Sequence, residues 1–532
     1  TLTQFPMDTV AKLGLLKFDF LGLRYLTIMS DTEKQIRLTE PNFDLSRVPF
    51  NDEKTYELLS SGKTDGVFQL ESGGLKKLLM SMRPRNLEDI ILAISIYRPG
   101  PMDSIPEFLS NRAHPENIHY AVPSLAAILD ETSGCILYQE QVMTICREIA
   151  GFSYGRADIV RRAMSKKKAS EMEAMRTAFI YGEKDENGKE ICHGAVAKGI
   201  SPEVANEIFD TMSAFAAYAF NKSHATAYAY TSYRTAYLKA HYPHEYLASL
   251  LTSVLGNMAK TAVYVDQAQK MHVSVLGPDI NESFETYHVA ADGEKRAIRF
   301  GLLGIKNVGR TFLAEVIAER QKGKFKSFED FISRMSERDL NKRQVESLIK
   351  SGAFDSLGTT RAALLSEYEK IIDIYLKKAR DRMAGQFDLF SIGNFSAAED
   401  HTVTAYPYPD MPELSTKERL YQEKESMGMY FSGHPFDDFM PHAKKLGAVS
   451  IGDILADVDE ETPAYADRDT VTVAGIITSR TGKQTRTGAP MAFLKIEDRF
   501  GEMELVVFPK VLEKHTYFLS PDAPIAAVGE LS

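Results

Sequence analysis

The sequence predicts a multidomain, mainly α-helical chain that ends in a small antiparallel β-barrel. Three observations carry this. From about residue 25 to 285, apolar residues recur at three- and four-residue spacing. A second helical stretch with glycine turns follows at 301–383, and residues 471–509 switch to period-two alternation broken by a glycine-containing turn. The 532-residue length fits roughly three to four domains. With 44% hydrophobic and 26% charged residues, the chain carries enough apolar surface for several cores.

The same composition excludes several classes. No run approaches the roughly 18 apolar residues of a membrane-spanning helix. The chain opens at Thr1 with no basic-then-apolar leader, so no secretory signal is expected. The absence of an initiating Met also suggests residues upstream. The three cysteines, Cys135, Cys146 and Cys192, are scattered and form no CxxC pair. That argues against a disulfide scaffold or a cysteine zinc site, and fits a reducing cytoplasm. The net charge of −10 argues against an indiscriminate nucleic-acid coat. A local basic channel is still compatible, because charges beyond about 8 Å are screened in physiological salt.

Taken in order, LGLLKFDFLGL (13–23) reads as a strand. Lys17 and Asp19 would share one face, with Leu16, Phe18 and Phe20 on the other. Asp19 is then either a strand-end salt-bridge partner or a metal-binding or catalytic acid, and no second carboxylate nearby decides between them. LYQEQVMTICREIAGF (137–152) has helical spacing, and Ser201-Pro202-Glu203 reads as an N-cap with Pro at the first helical position. RPGP (98–101) is a rigid break and EKDENGKE (183–190) an exposed loop. No Gly/Ser linker divides 25–285, which reads as one large helical domain.

GLLGIKNVGR (301–310) followed by TFLAEVIAER (311–320) has the layout of a helix-hairpin-helix, whose glycine turn and helix start offer N–H groups to a phosphate. NKRQVESLIKSGAF (341–354) is a second candidate. A helix is expected at about 360–383, then a polar, proline-containing linker over roughly 391–415. QFDLF (386–390) precedes it, either as a loop anchor or as a peptide that docks Leu389 and Phe390 in a partner's pocket. At the end, VTVAGIITSR, the turn TGKQTRTGAP and MAFLKIEDRFGEMELVVF suggest strands of an oligonucleotide-binding (OB) barrel, partial because only about 60 residues remain.

Two basic groups could carry chemistry. RRAMSKKK (161–168) is either a solvated helix face or a phosphate clamp. In FNKSHATAYAYTSYRTAYLKAHYP (220–243), Asn221, Lys222, Ser223 and His224 gather where a helix dipole favours an anion. Tyr233 and Tyr237 share a face, as core or as a base-stacking platform. His224 alone would read as structural; beside Lys222, and with two basic clusters in one domain, polyphosphate binding is the better reading. There is no GxxxxGK[ST] loop and no HExxH. The DxD pairs Asp457/Asp459 and Asp467/Asp469 lie in an acidic stretch that reads as solvated linker.

KFDFLGLR (17–24), VFQLESGGLKKLL (67–79), YRPGPM (97–102), ILYQEQVM (136–143), ADIVRRAMSKKK (157–168) and FNKSHATAYA (220–229) follow one another in consistent order. Together they resemble the C-family bacterial replicative DNA polymerase III alpha subunits. The resemblance implies the end of an α/β palm at 1–24 and a fingers domain at 25–285. It further implies a clamp-binding region at 286–465, containing the tandem hairpins at about 301–356, and a partial OB-fold at 466–532.

By the same resemblance, Asp19 is the third catalytic carboxylate and a Mg²⁺ ligand, with Lys17 beside it near primer or nucleotide phosphates. Arg161, Arg162, Asn221, Lys222, Ser223 and His224 would face an incoming dNTP. Gly304, Lys306, Gly309 and Arg310 would grip primer–template DNA, and Gln386, Phe387, Asp388, Leu389 and Phe390 would bind the beta sliding clamp. The implied reaction is template-directed addition of dNMP to a primer 3′-hydroxyl by two-metal phosphoryl transfer. The other catalytic carboxylates, the PHP domain, most of the palm, the thumb and the carboxyl-terminal domain that meets other replicase subunits are expected outside this chain, which alone should be inactive. An error-prone paralogue shares most of these motifs. A non-catalytic DNA-binding adaptor built on hairpins and barrel is a second alternative; an enzyme acting on a small phosphate substrate leaves the hairpins and QFDLF unexplained.

Overall fold

The computed structural model describes residues 2–166, 169–216, 219–338, 340–383, 406–457, 465–485 and 487–532. QFDLF, Lys167, Lys168 and Asp459 lie outside the described residues.

The helical body is organised by apolar spacing. Helix Arg24–Ile36 buries Tyr25, Ile28, Met29, Thr32 and Ile36, one face at three- and four-residue steps. Helix Leu87–Ile96 is apolar nearly all round and therefore runs through the interior. Helix Lys222–His241 packs against it, against Glu53–Ser60 and against Arg24–Ile36. One continuous core joins these helices to the hairpin region, from Tyr25 through Tyr246, Phe312 and Phe354 to Met427. A second core, from Leu125 to Met212, is built by helices Gln139–Ala150, Tyr154–Lys166, Ala169–Tyr181 and Pro202–Ala216. Pro202 opens its helix as expected, and the Ser201 hydroxyl accepts from the Val204 N–H at 3.3 Å.

Two local expectations change. Residues 13–23 form no strand: the segment is irregular, and Leu13, Leu15, Leu16, Phe18, Phe20 and Leu21 are exposed. Alternation alone does not make a strand, because the ladder needs a neighbouring backbone. Among the described residues none pairs with it. Residues 183–190 are tighter than an open loop. Glu183–Lys184 pairs antiparallel with Glu190–Cys192, and Asp185 closes the turn by accepting from the Asn187 and Lys189 N–H groups.

The hairpin region comprises helices Arg310–Gln321, Phe328–Met335 and Lys342–Lys350, followed by the long helix Arg361–Met383. The carboxyl-terminal unit is a four-stranded antiparallel sheet in the order Glu502–Val507, Pro490–Glu497, Thr470–Gln484, Pro524–Glu530. A register break between Ile477 and Ser479 bends the long strand, so its two halves serve different neighbours and the sheet curls into a half-barrel. Helix Pro509–His515 covers it through Leu512.

Candidate nucleotide and nucleic-acid interface

The two basic groups come together at the start of helix Gln139–Ala150. Main-chain bonds tie residues 137–139 to Phe220: Phe220 N–H donates to Leu137 O at 2.9 Å and Gln139 N–H to Phe220 O at 3.0 Å. The Gln139 side chain then accepts from Arg161 at 3.2 Å, and Glu140 accepts from the Asn221 amide and the Lys222 N–H. Gln139 and Glu140 thus link Arg161 to the start of the Lys222–His241 helix.

Arg161, Arg162 and Lys222 each already have a carboxylate. Asp158 takes Arg161 and Arg162 at 2.7 Å each; the Arg161 side chain is 19% exposed and that of Arg162 66%. Hydrogen bonding from Arg161, with the charge of both arginines, holds the Asp158 carboxyl below its usual range. Lys222 reaches Glu131 at 2.6 Å and Glu88 at 3.7 Å. Burial works against the Lys222 charge, yet the two glutamates raise its pKa overall. Asn221 caps the helix by accepting from His224 N–H at 2.8 Å. Ser223 and His224 are exposed.

An aromatic ladder supports His224. Its ring lies 4.1 Å from Tyr228 and meets Phe220 edge-on at 5.5 Å, while Tyr228 rests on Phe68. The guanidinium of Arg98 sits 3.8 Å from the centre of the Phe220 ring. The choice left open for Tyr233 resolves to core: it is fully buried, its hydroxyl donating to Pro49 O and accepting from Asp52 N–H. Tyr237 stacks on His241 at 4.3 Å. Lys239 is also structural. Burial lowers its pKa to about 8, and its ammonium donates to the Lys63 and Asp65 carbonyls.

In the first hairpin, Gly309 begins helix Arg310–Gln321 with no side-chain cap, and Lys306, Gly309 and Arg310 are exposed. Among the described residues neither cation has an ion-pair partner. The Lys306 N–H is used by Ser426 O at 2.8 Å, which leaves its ammonium as the donor that this residue could offer an anion. Gly304 serves packing, since a Cβ would lie 2.9 Å from the Phe300 ring. In the second hairpin, an Asn341–Gln344 capping box satisfies the start of Lys342–Lys350, and Lys342 pairs with Asp373 and Glu369. Its turn is tied down as well: buried Arg361 packs against Gly352 and pairs with Asp355 and Glu423.

Lys17 and Asp19 pair with each other at 3.3 Å and are more than half exposed. No group of three or more potential metal-ligating side chains occurs among the described residues. The residues present therefore do not complete a two-ion site. On the barrel, exposed Tyr517 (87%) and Phe518 lie beside Arg480, which holds the Thr516 and Leu519 carbonyls. Sequence patterning did not single out these residues, nor Arg98 or the caging carboxylates. Cys135 and Cys146 are buried, with burial raising each thiol to about 12. No helix among the described residues is long and apolar enough to cross a membrane.

Three family models match the chain. Residues 25–187 match the bacterial DNA polymerase III alpha subunit finger domain, 272–364 a helix-hairpin-helix motif, and 471–532 an OB-fold nucleic acid binding domain. The chain is 39% identical over 533 residues to a DNA polymerase III subunit alpha from Borreliella burgdorferi, covering 100% of this chain and 44% of that protein. It is 39% identical to the Thermus aquaticus subunit, covering 100% of this chain and 41% of the relative. For the Bacillus subtilis subunit the identity is 37%, over 99% of this chain and 44% of the relative. The chain thus spans less than half the length of these relatives.

Proposed function

We propose that this chain, which matches the finger-domain model of the bacterial DNA polymerase III alpha subunit and aligns along its whole length with subunits of that name, serves template-directed DNA synthesis. In this reading it holds the incoming dNTP, the primer–template duplex and the single-stranded template. The supporting observation is the linked arrangement of Arg161, Gln139, Glu140, Asn221 and Lys222, with His224 exposed beside it. Arg161 and Arg162 supply forked donors for phosphate oxygens, and Lys222 a movable charge. A triphosphate carries several negative charges against the single charge of each carboxylate it displaces. The internal pairs would then hold the cations in place until the ligand takes them over. His224, supported by Tyr228 and Phe220, offers a flat wall for the sugar or base.

Lys306, Gly309 and Arg310 would take duplex phosphates, with Gly304 setting the turn behind them. Tyr517 and Phe518 offer stacking faces for single-stranded bases. Asp19 would contribute one carboxylate to the Mg²⁺ chemistry of the family reaction, and among the described residues no group of three or more potential metal-ligating side chains stands with it. Residues 386–390 would bind the beta sliding clamp, and the setting would be cytoplasmic.

The test is fluorescence anisotropy of labelled primer–template with and without the next complementary dNTP. This reading expects the correct dNTP to tighten binding and a mismatched one not to. Duplex binding indifferent to dNTP would instead identify a DNA-binding adaptor.

A further inference from the structure

Arg161, Arg162 and Lys222, which stand in basic clusters of the sequence, are each paired with an acid: Arg161 and Arg162 with Asp158, Lys222 with Glu131 and Glu88. Arg98 differs. It stands alone in the turn at 98–101, and among the described residues no carboxylate pairs with it. Its Nε donates to Ile94 O at 3.3 Å, and its guanidinium carbon sits 3.8 Å over the centre of the Phe220 ring. The two terminal nitrogens have no hydrogen-bond acceptor among the described residues.

The backbone holds this arginine still. Arg98 N–H donates to Ile96 O and Arg98 O accepts from Met102 N–H, both at 3.0 Å, and Gly100 takes φ 97° before Pro101. Its neighbour Tyr97 packs where a Cβ on Gly74 would stand. Phe220 directly precedes Asn221, and its ring touches His224. Arg98 therefore lies on the same wall as the exposed histidine. Burial also disfavours its charge, a cost that the nearby Tyr228 phenol offsets only in part.

We infer that Arg98 is a phosphate-binding residue of this site, stacked on Phe220 beside His224 and left without an internal carboxylate so that a ligand anion completes it. A guanidinium set over an aromatic ring, with its terminal N–H groups unpaired by protein, keeps a planar fork that suits two phosphate oxygens. The phosphate could belong to a deoxynucleoside triphosphate or to the DNA backbone. The inference rests on the fingers reading above.

Calorimetric titration of the whole chain with a non-hydrolysable deoxynucleoside triphosphate and, separately, with primer–template DNA distinguishes these sources. Arg98→Ala is expected to weaken one of the two by about 10-fold or more, with Arg98→Lys intermediate because it keeps charge but loses the fork. Loss in the triphosphate arm assigns nucleotide phosphate. Loss in the DNA arm assigns backbone phosphate and should lower the slope of log K against log salt by about 0.9. Should Arg98→Ala not fold, Arg98→Lys carries the same comparison. A fall in Tm with unchanged affinity in both arms would overturn the assignment and leave the fingers reading standing. Failure of the wild type to bind either ligand would overturn both.

Discussion

Two helix starts in this molecule look alike in sequence and differ in structure. Lys222–His241 begins behind Asn221, and Arg310–Gln321 begins behind Gly309; both are flanked by basic residues where a helix dipole favours an anion. At the first, the protein supplies its own anion. Asn221 caps the helix, Glu140 accepts from the Lys222 N–H, and Glu131 and Glu88 hold the Lys222 ammonium. At the second there is no side-chain cap, and Lys306 and Arg310 stand exposed and unpaired among the described residues. A helix start is thus an open anion site only where the surrounding fold leaves it so. The closed start suits a multiply charged ligand that can displace carboxylates; the open one suits the repeating single charges of a DNA backbone.

The comparison can be broken by converting one start into the other. Gly309→Asp places a capping carboxylate on the open helix, at a position where a Cβ meets nothing within 4 Å. Duplex affinity should fall by about 10-fold or more, while stability, followed by thermal unfolding, changes by only a few tenths of a kcal/mol. Unchanged duplex binding would show that the open start carries no phosphate.

Next in size is the frame behind the open start. Gly304→Ala drives a methyl into the Phe300 ring and the Leu255 side chain, and should cost about 1–3 kcal/mol in denaturant unfolding. A neutral result would mean that the turn moves freely and Gly304 does not set its geometry.

At the closed start, Asn221→Ala removes the cap to the His224 N–H and should cost about 1 kcal/mol. The smallest effect is expected of Glu140→Gln, which keeps an acceptor beside Lys222 but removes its charge. Stability should fall slightly, while affinity for a non-hydrolysable dNTP should rise by about 2- to 5-fold as the competing anion is lost. A lower affinity would make Glu140 a supporting partner rather than a competitor.

The parts of the fold that were legible in the sequence are those set by local chemistry. Pro202 after Ser201 starts a helix, the run from Arg361 continues one to Met383, and period-two residues after Val471 form the curled sheet. Residues 13–23 were not legible, because their alternation says nothing about whether a neighbouring strand exists. At the site, Arg161 and Lys222 could be found as basic clusters, but the caging acids lie far away in sequence: Glu88 and Glu131 precede Lys222 by 134 and 91 residues (222 − 88 and 222 − 131). Arg98 has no cluster around it, and only the fold places it on Phe220. Tyr233 and Lys239 share composition with a binding face, yet burial makes them core.

The most direct test of the open start is the salt dependence of primer–template binding by the wild type and by Lys306→Ala/Arg310→Ala. If both side chains meet backbone phosphates, the slope of log K against log salt should fall by about 2, with weakening largely independent of DNA sequence. An unchanged slope would mean that DNA does not meet this helix start, contradicting the account.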